Sequence, residues 1–290
     1  MGILKRAISK DASVVSTVLD ATDIVNRIEQ IHKTSAVVSA GLGRLTIATS
    51  LIGYGLKNDT DSVTVRMDGN GLTGPLIAVA DSHGNVKSYV SNPVVEIPLN
   101  QYGKLDVKGA IGTDGTLSVI KDLGLKEPFC GTVPIVSGEV AEDIANYFAT
   151  SEQTPTVCAL GVLVNPDLTI KQAGGFLIQL LPFASEEVIS TIEDNIKDIK
   201  PMTTMLDEGM SVEDIALTLL KGLEPNILDS ANPEYRCDCS KERVETALTS
   251  LGKEELSKMA QEQEVTEVCC HFCDKKYTFT SKEILDLIKK

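Results

Sequence analysis

Two closely spaced cysteine pairs carry most of the chemistry legible in this chain. Cys237-Asp-Cys239 and Cys270-His-Phe-Cys273 form a C-x-C and a C-x-x-C separated by thirty residues. Zinc takes four soft or borderline ligands in a tetrahedron, and short cysteine spacings on turns supply two thiolates each with little extra ordering of the chain. Cys237, Cys239, Cys270 and Cys273 are therefore the expected metal ligands. The adjacent Cys269 and the intervening His271 leave the fourth ligand open; Cys270 is preferred because its two-residue spacer to Cys273 makes the usual zinc knuckle. From spacing alone, a structural zinc site folding a segment too small to fold by itself outranks a redox role. The effect of oxidation tilts the balance the other way. Zinc on all four sulfurs closes the thirty-residue loop, a constraint worth about 3–4 kcal/mol in chain entropy. Disulfides within each pair would expel the metal and close only tiny loops, so the long-range clip would vanish. The other two cysteines, Cys130 and Cys158, stand alone in apolar or turn contexts and read as buried free thiols.

Other motifs fail on context. Gly69-Asn-Gly71-Leu-Thr-Gly74 matches a dinucleotide fingerprint, but a strand-like run, Pro75 to Ala80, follows where a phosphate-facing helix is required. It reads as a Gly-rich turn. Ser118-Val-Ile-Lys121 has the S-x-x-K form, yet Ser118 falls mid-strand without companion motifs. With only His32, His83 and His271 available, a histidine-based triad has little to draw on, and no enzymatic activity is expected.

The elements that must position the cysteines follow from periodicity and charge. The 290 residues carry a net charge of −14, with no Trp and 4% aromatic residues. This balance opposes phosphate tracking and base stacking, so no nucleic-acid partner is expected. The division of charge is more telling: −4 over 1–180, −8 over 181–236 and −2 over 237–290. The first segment reads as mixed α/β, with a helix from Thr22-Asp23 and an Ala/Gly-rich helix from Ser35 to Gly55. Short strands follow at 63–67, 76–80, 86–90, 94–97 and 116–120, close enough to favour antiparallel meanders. A helix over 139–150 and strands over 158–164 and 175–180 complete this part. The stretch Thr34 to Leu56 is the most lipid-like, but Arg44 splits it, and it reads as a buried helix with no membrane partner. No secretion or acylation signal is evident, and seven cysteines suit a reducing, cytoplasmic compartment.

Between 181 and 236 the pattern is helical. Ser185 caps a helix with Val188, Ile189, Ile192, Ile196 and Ile199 as its stripe; Ser211 caps another with Ile215, Ala216, Leu219 and Leu220. Such short helices need a docking partner, and their clustered carboxylates repel one another, so the segment reads as conditionally folded. In the last segment Ser240 caps a helix, a short helix surrounds Leu256 and Met259, and strand, knuckle and strand follow over 265–280. Thr280-Ser-Lys-Glu283 is a capping box for a final helix. The expected fold class is α+β: an N-terminal mixed α/β core domain with antiparallel sheets (1–180), a helical acidic linker (181–236) and a small C-terminal zinc-binding redox-switch domain (237–290).

The cysteine pairs at this spacing resemble those of the redox-regulated holdase chaperones of bacteria, the thirty-three-kilodalton heat-shock protein family. The likeness extends to Leu42-Gly-Arg44, Tyr89-Val-Ser-Asn-Pro93, Gly103-Lys-Leu-Asp-Val107, Lys121-Asp-Leu-Gly124, Val133 to Glu139, Ser151-Glu-Gln-Thr-Pro155 and Gly174-Gly-Phe176, in family order. It covers essentially the whole chain. The resemblance implies a chaperone that is inactive while Cys237, Cys239, Cys270 and Cys273 hold zinc as thiolates. Peroxide or hypochlorite, with an unfolding stress, then forms two disulfides, releases zinc and unfolds the linker. The exposed surface binds unfolding client proteins without ATP, usually as a homodimer, and clients pass later to ATP-dependent foldase chaperones. The chain departs from the family pattern at Cys269, Cys130 and Cys158, and Cys269 could shuffle the distal disulfide. Two other classes remain as alternatives. A zinc-ribbon nucleic-acid-binding module is opposed by the −2 charge of the last segment. A thiol-disulfide oxidoreductase using Cys270 and Cys273 lacks the expected βαβ flanks.

Overall fold

The computed structural model describes residues 1–182 and 184–288. Phe183, within the expected acidic linker, and Lys289 and Lys290, at the end of the expected switch domain, lie outside the described residues. The chain divides into two compact units, Met1–Tyr235 and Arg236–Lys290. The class is α+β with antiparallel sheets.

The first unit begins with β1 (Ile3–Ile8), β2 (Val14–Asp20), α1 (Thr22–His32) and α2 (Ala36–Tyr54). Then come β3 (Ser62–Asp68), β4 (Leu76–Asp81), β5 (Val86–Val90), α3 (Val107–Ile111), β6 (Thr116–Asp122), β7 (Phe129–Pro134) and α4 (Ala141–Tyr147), which runs on into a π-helical turn, Phe148–Glu152. It ends with β8 (Thr156–Val164), β9 (Ile170–Leu180), α5 (Glu186–Lys197), α6 (Met202–Asp207), α7 (Val212–Leu219) and β10 (Asn226–Ala231). One five-stranded sheet has the order β10-β1-β2-β9-β8 and a second has the order β5-β4-β3-β6-β7, antiparallel throughout.

Helix α2 packs against strands of both sheets and is buried on nearly every side, as expected for a helix apolar all round. It is long and apolar enough to cross a membrane, yet almost all of it is enclosed by protein. Small residues permit this close packing. A Cβ on Gly43 would lie 2.8 Å from Val25 Cγ1, and one on Gly53 would lie 2.6 Å from the Asp81 carbonyl oxygen. The first sheet is apolar on both faces. Leu4, Leu19 and Leu177 face the core built around α2, while Ala7, Val14, Val18, Phe176 and Ile178 face α5–α7. The acidic helices cover this second face with Val188, Ile192, Met205, Ile215 and Leu219. The Ser16 hydroxyl donates to the Ala216 carbonyl across the buried joint at 3.0 Å.

Several elements differ from the sequence expectations. Residues 94–97 form no strand. Pro93 and Pro98 bracket them, and Val95 exchanges both backbone hydrogen bonds with the Ser35 hydroxyl, 3.1 Å for the N–H and 2.8 Å for the carbonyl. Strands β1, β2, β7 and β10 and helices α3 and α6 have no counterpart in the sequence reading. The segment 181–236 thus contains a strand as well as helices. Cys130 is exposed rather than buried: on the edge strand β7 alternate residues Gly131 and Val133 face inward, which turns Cys130 outward.

Candidate metal and redox centre

The second unit comprises α8 (Lys241–Thr249), α9 (Lys253–Glu262), β11 (Val265–Cys269), β12 (Lys276–Thr280) and α10 (Ser281–Leu287). The two strands form an antiparallel hairpin whose turn carries Cys270 and Cys273. Cys270 N–H donates to the Lys275 carbonyl and Asp274 N–H donates to the Cys270 carbonyl, each at 2.9 Å. Asp274 sits at φ 60°, the left-handed region that closes this tight knuckle. Cys237 and Cys239 lie just before Ser240, whose hydroxyl accepts Arg243 N–H at 3.2 Å and starts α8. Thr280 and Glu283 form a capping box on α10, and Lys241 donates to Glu283 at 2.7 Å, joining the start of α8 to that of α10.

These elements enclose a core of Leu248, Leu256, Tyr277, Phe279, Ile284 and Leu287. Six large side chains are little to hold about fifty residues. The cysteines supply the missing constraint. The Sγ atoms of Cys237, Cys239, Cys270 and Cys273 all lie within 4.8 Å of one another. Cys237 and Cys270 are 3.7 Å apart, and Cys239 and Cys273 are 3.4 Å apart. A tetrahedron with metal–sulfur bonds of about 2.3 Å has edges of about 3.8 Å, so the arrangement fits a four-thiolate metal site.

Electrostatics agree with that fit. Burial pushes the Cys237 thiol well above its ordinary range and the Cys273 thiol up to about 11. Burial also opposes ionisation of Cys239, but the Tyr277 hydroxyl, which donates to its sulfur at 3.1 Å, and the neighbouring thiols outweigh it and bring Cys239 down to about 7. One thiolate is favoured and further ionisation resisted, as expected of crowded sulfurs that ionise together only beside a cation. Tyr277 was not singled out by the sequence reading. The alternation of Tyr277 and Phe279 in β12, both buried, was the signal that could have found it.

The structure also separates the ligand alternatives. Cys269 is exposed, and its thiol faces Asp274, 3.2 Å from Oδ1 and 3.6 Å from the carbonyl oxygen. Among the described residues, the converging metal-type donors are the four named sulfurs, without Cys269 or His271. Cys130 and Cys158 belong to the first unit; burial raises the Cys158 thiol. Gly69–Gly74 forms a turn in which Gly71 and Thr73 N–H groups donate to Ile111 and Ala110 carbonyls, and β4 follows. The Ser118 hydroxyl pairs with Thr132 across β6 and β7 at 3.0 Å, and Lys121 pairs with Glu152.

A two-sheet α+β unit followed by a small unit built on four converging thiols defines a class of protein with a four-thiol group able to hold a metal ion. The chain belongs to the Hsp33 protein family, whose model matches residues 3–280. It is 48% identical over 285 residues to a 33 kDa chaperonin of Clostridioides difficile, with 98% of each chain covered. It is 45% identical over 287 residues to a 33 kDa chaperonin of Bacillus velezensis, covering 99% of this chain and 98% of the relative. The crystal structure of the 33 kDa chaperonin of Thermotoga maritima superposes with a TM-score of 0.90 at 36% identity, covering 99% of this chain and 97% of that one.

Proposed function

We propose that this chain is an oxidation-activated holdase chaperone, with Cys237, Cys239, Cys270 and Cys273 serving both as zinc ligands and as redox thiols. The convergence of these four sulfurs on one point carries the reading. When bound, zinc supplies the charge that keeps four adjacent sulfurs ionised and ties the two ends of the thirty-residue loop together. Oxidation within each pair, Cys237 with Cys239 and Cys270 with Cys273, consumes the thiolates and leaves two small rings in place of that tie. The C-terminal unit then has too small a core to stay folded.

The chain works in three parts on this reading: the core 1–180, the acidic segment 181–236 and the switch 237–290. Once the acidic helices undock, the apolar face they cover, including Val14, Val18, Phe176 and Ile178, is available to unfolding client proteins. Binding needs no ATP, the oxidised form acts as a homodimer in the cytoplasm, and clients pass to ATP-dependent foldases. The decisive experiment follows client aggregation and zinc release in parallel, before and after peroxide at elevated temperature. Suppression of aggregation appears with zinc release; equal activity in both states with zinc retained would defeat the switch.

A further inference from the structure

The second unit holds five cysteines, an odd number, so two disulfides among the four converging thiols leave one thiol over. That thiol, Cys269, is next in the chain to Cys270, and it contacts Asp274, the residue that follows Cys273. The hairpin register and the left-handed turn at Asp274 thus bring Cys269 beside the chain on both flanks of the distal pair. While the four sulfurs converge, Cys273 is engaged with Cys239 and Cys269 with Asp274. Loosening of the knuckle on oxidation would release both engagements.

We propose that Cys269 is a fifth redox thiol that exchanges with the distal disulfide; this rests on the oxidation-activated reading given above. Peroxide first converts the Cys270 and Cys273 thiols to a disulfide and is itself reduced to water. The Cys269 sulfur then attacks Cys273, the Cys270–Cys273 bond breaks, and Cys270 departs with the electron pair and takes up the proton that Cys269 gave up. The step is redox-neutral. Cys273 is the sulfur attacked because the alternative joins adjacent residues, whose Cα atoms are about 3.8 Å apart, below the roughly 4.4–6.8 Å that disulfides favour. The two isomers, Cys270–Cys273 and Cys269–Cys273, close short loops that differ by one residue, and both should be populated.

The full-length chain is oxidised with hydrogen peroxide at elevated temperature and quenched in acid. Free thiols are blocked with N-ethylmaleimide, and the label within 269–273 is located by fragment-ion mass spectrometry. Zinc release is read on the same samples. The wild type should carry label on both Cys269 and Cys270. In Cys269→Ser and Cys269→Ala, label on Cys270 should disappear while zinc release is unchanged. Label confined to Cys269 in the wild type, with disulfides formed and zinc released, would overturn the exchange and leave the switch standing. Zinc retained and all five thiols labelled in the wild type and both variants would overturn the switch, and the exchange with it.

Discussion

Ile215 sits at the centre of the joint between the acidic helices and the first sheet, with 0% of its surface exposed, on a helix packed against both β1 and β2. Truncating a fully buried isoleucine to alanine costs about 2–5 kcal/mol, from lost burial plus the cavity left behind. Because the neighbouring side chains belong to the sheet face and to α5–α7, that loss falls on the docked state and is largely spared once the helices detach. Every 1.4 kcal/mol is tenfold in an equilibrium constant, so Ile215→Ala should raise the undocked fraction on the order of 30- to 3,000-fold. The measurement is amide exchange across 186–220 in the reduced, zinc-loaded protein, run beside suppression of aggregation of a thermally unfolding client. Ile215→Ala should exchange faster there and protect the client without oxidant. Glu213→Ala is the control, since it removes only a half-exposed pair with Lys5 at 3.2 Å, worth at most about 1 kcal/mol. Fast exchange in Ile215→Ala with no gain in reduced-state activity would show that the face under the helices is not what holds clients.

Three further outcomes follow from named contacts. Cys270→Ser should abolish stoichiometric zinc binding and lower the protease resistance of the C-terminal unit, whereas Cys269→Ser should bind zinc as the wild type does; metal analysis after gel filtration separates the two. Asp143→Asn should destabilise the first unit. The buried carboxylate accepts Val136 and Ser137 N–H on one oxygen, and the Ser137 hydroxyl and Gly138 and Val140 N–H on the other. An amide nitrogen must face at least two of these donors, at about 1–3 kcal/mol each, so the denaturant midpoint should fall by the equivalent of about 2–6 kcal/mol. The third concerns alkaline pH. Burial, then the hydrogen bond to Asp229, pushes Tyr54 up to about 12 from 10.0. A raised folded value favours the protonated phenol, so its contribution is complete below pH 10.0 and is lost as pH rises through about 12. The thermal midpoint should drop over that window, and less steeply in Tyr54→Phe.

Four helix starts were legible because capping is local. Ser185, Ser211, Ser240 and Thr280 each accept a backbone N–H three residues on, as their sequence neighbourhoods require. The strands missed are those whose environment is set from afar. β1 packs on both faces and shows no clean alternation, and β7 follows Pro128, carries Gly131 and ends at Pro134, a composition suited only to a sheet edge. β10 follows Pro225 and alternates exposed with half-buried residues; its pairing with β1 lies more than two hundred positions away in sequence. Helix α6 starts directly after Pro201, which occupies its N-cap, whereas α5 has already ended at Lys197. At the centre, spacing identified four sulfurs but could not choose between neighbouring cysteines. The strand does so: β11 alternates exposed and half-buried residues and leaves Cys269 on the exposed side, whereas Cys270 falls past its end, where the turn carries it inward.

On the proposed reading, the unexpected strand lets the acidic helices undock without endangering the core. Helices α5–α7 leave the sheet after β9 and return to it as β10, so no strand lies between Glu186 and Leu219. Both ends of the excursion are fastened to the turn between β1 and β2. Leu181 N–H donates to the Ser13 carbonyl at 2.8 Å, Lys10 N–H donates to the Leu223 carbonyl at 3.1 Å, and Lys10 pairs with Glu224 at 2.6 Å. Beyond β10, Gly2 N–H donates to Pro233 and Val86 N–H to Glu234, tying the chain to both sheets before the cysteines begin. Loss of the helices therefore breaks no strand pairing and exposes an apolar face on an intact sheet. The −8 carried by 181–236 is partly compensated at the joint, where Asp207, Glu213 and Glu224 pair with Lys171, Lys5 and Lys10, while the sheet beneath draws its stability from strand pairings the segment's helices do not share.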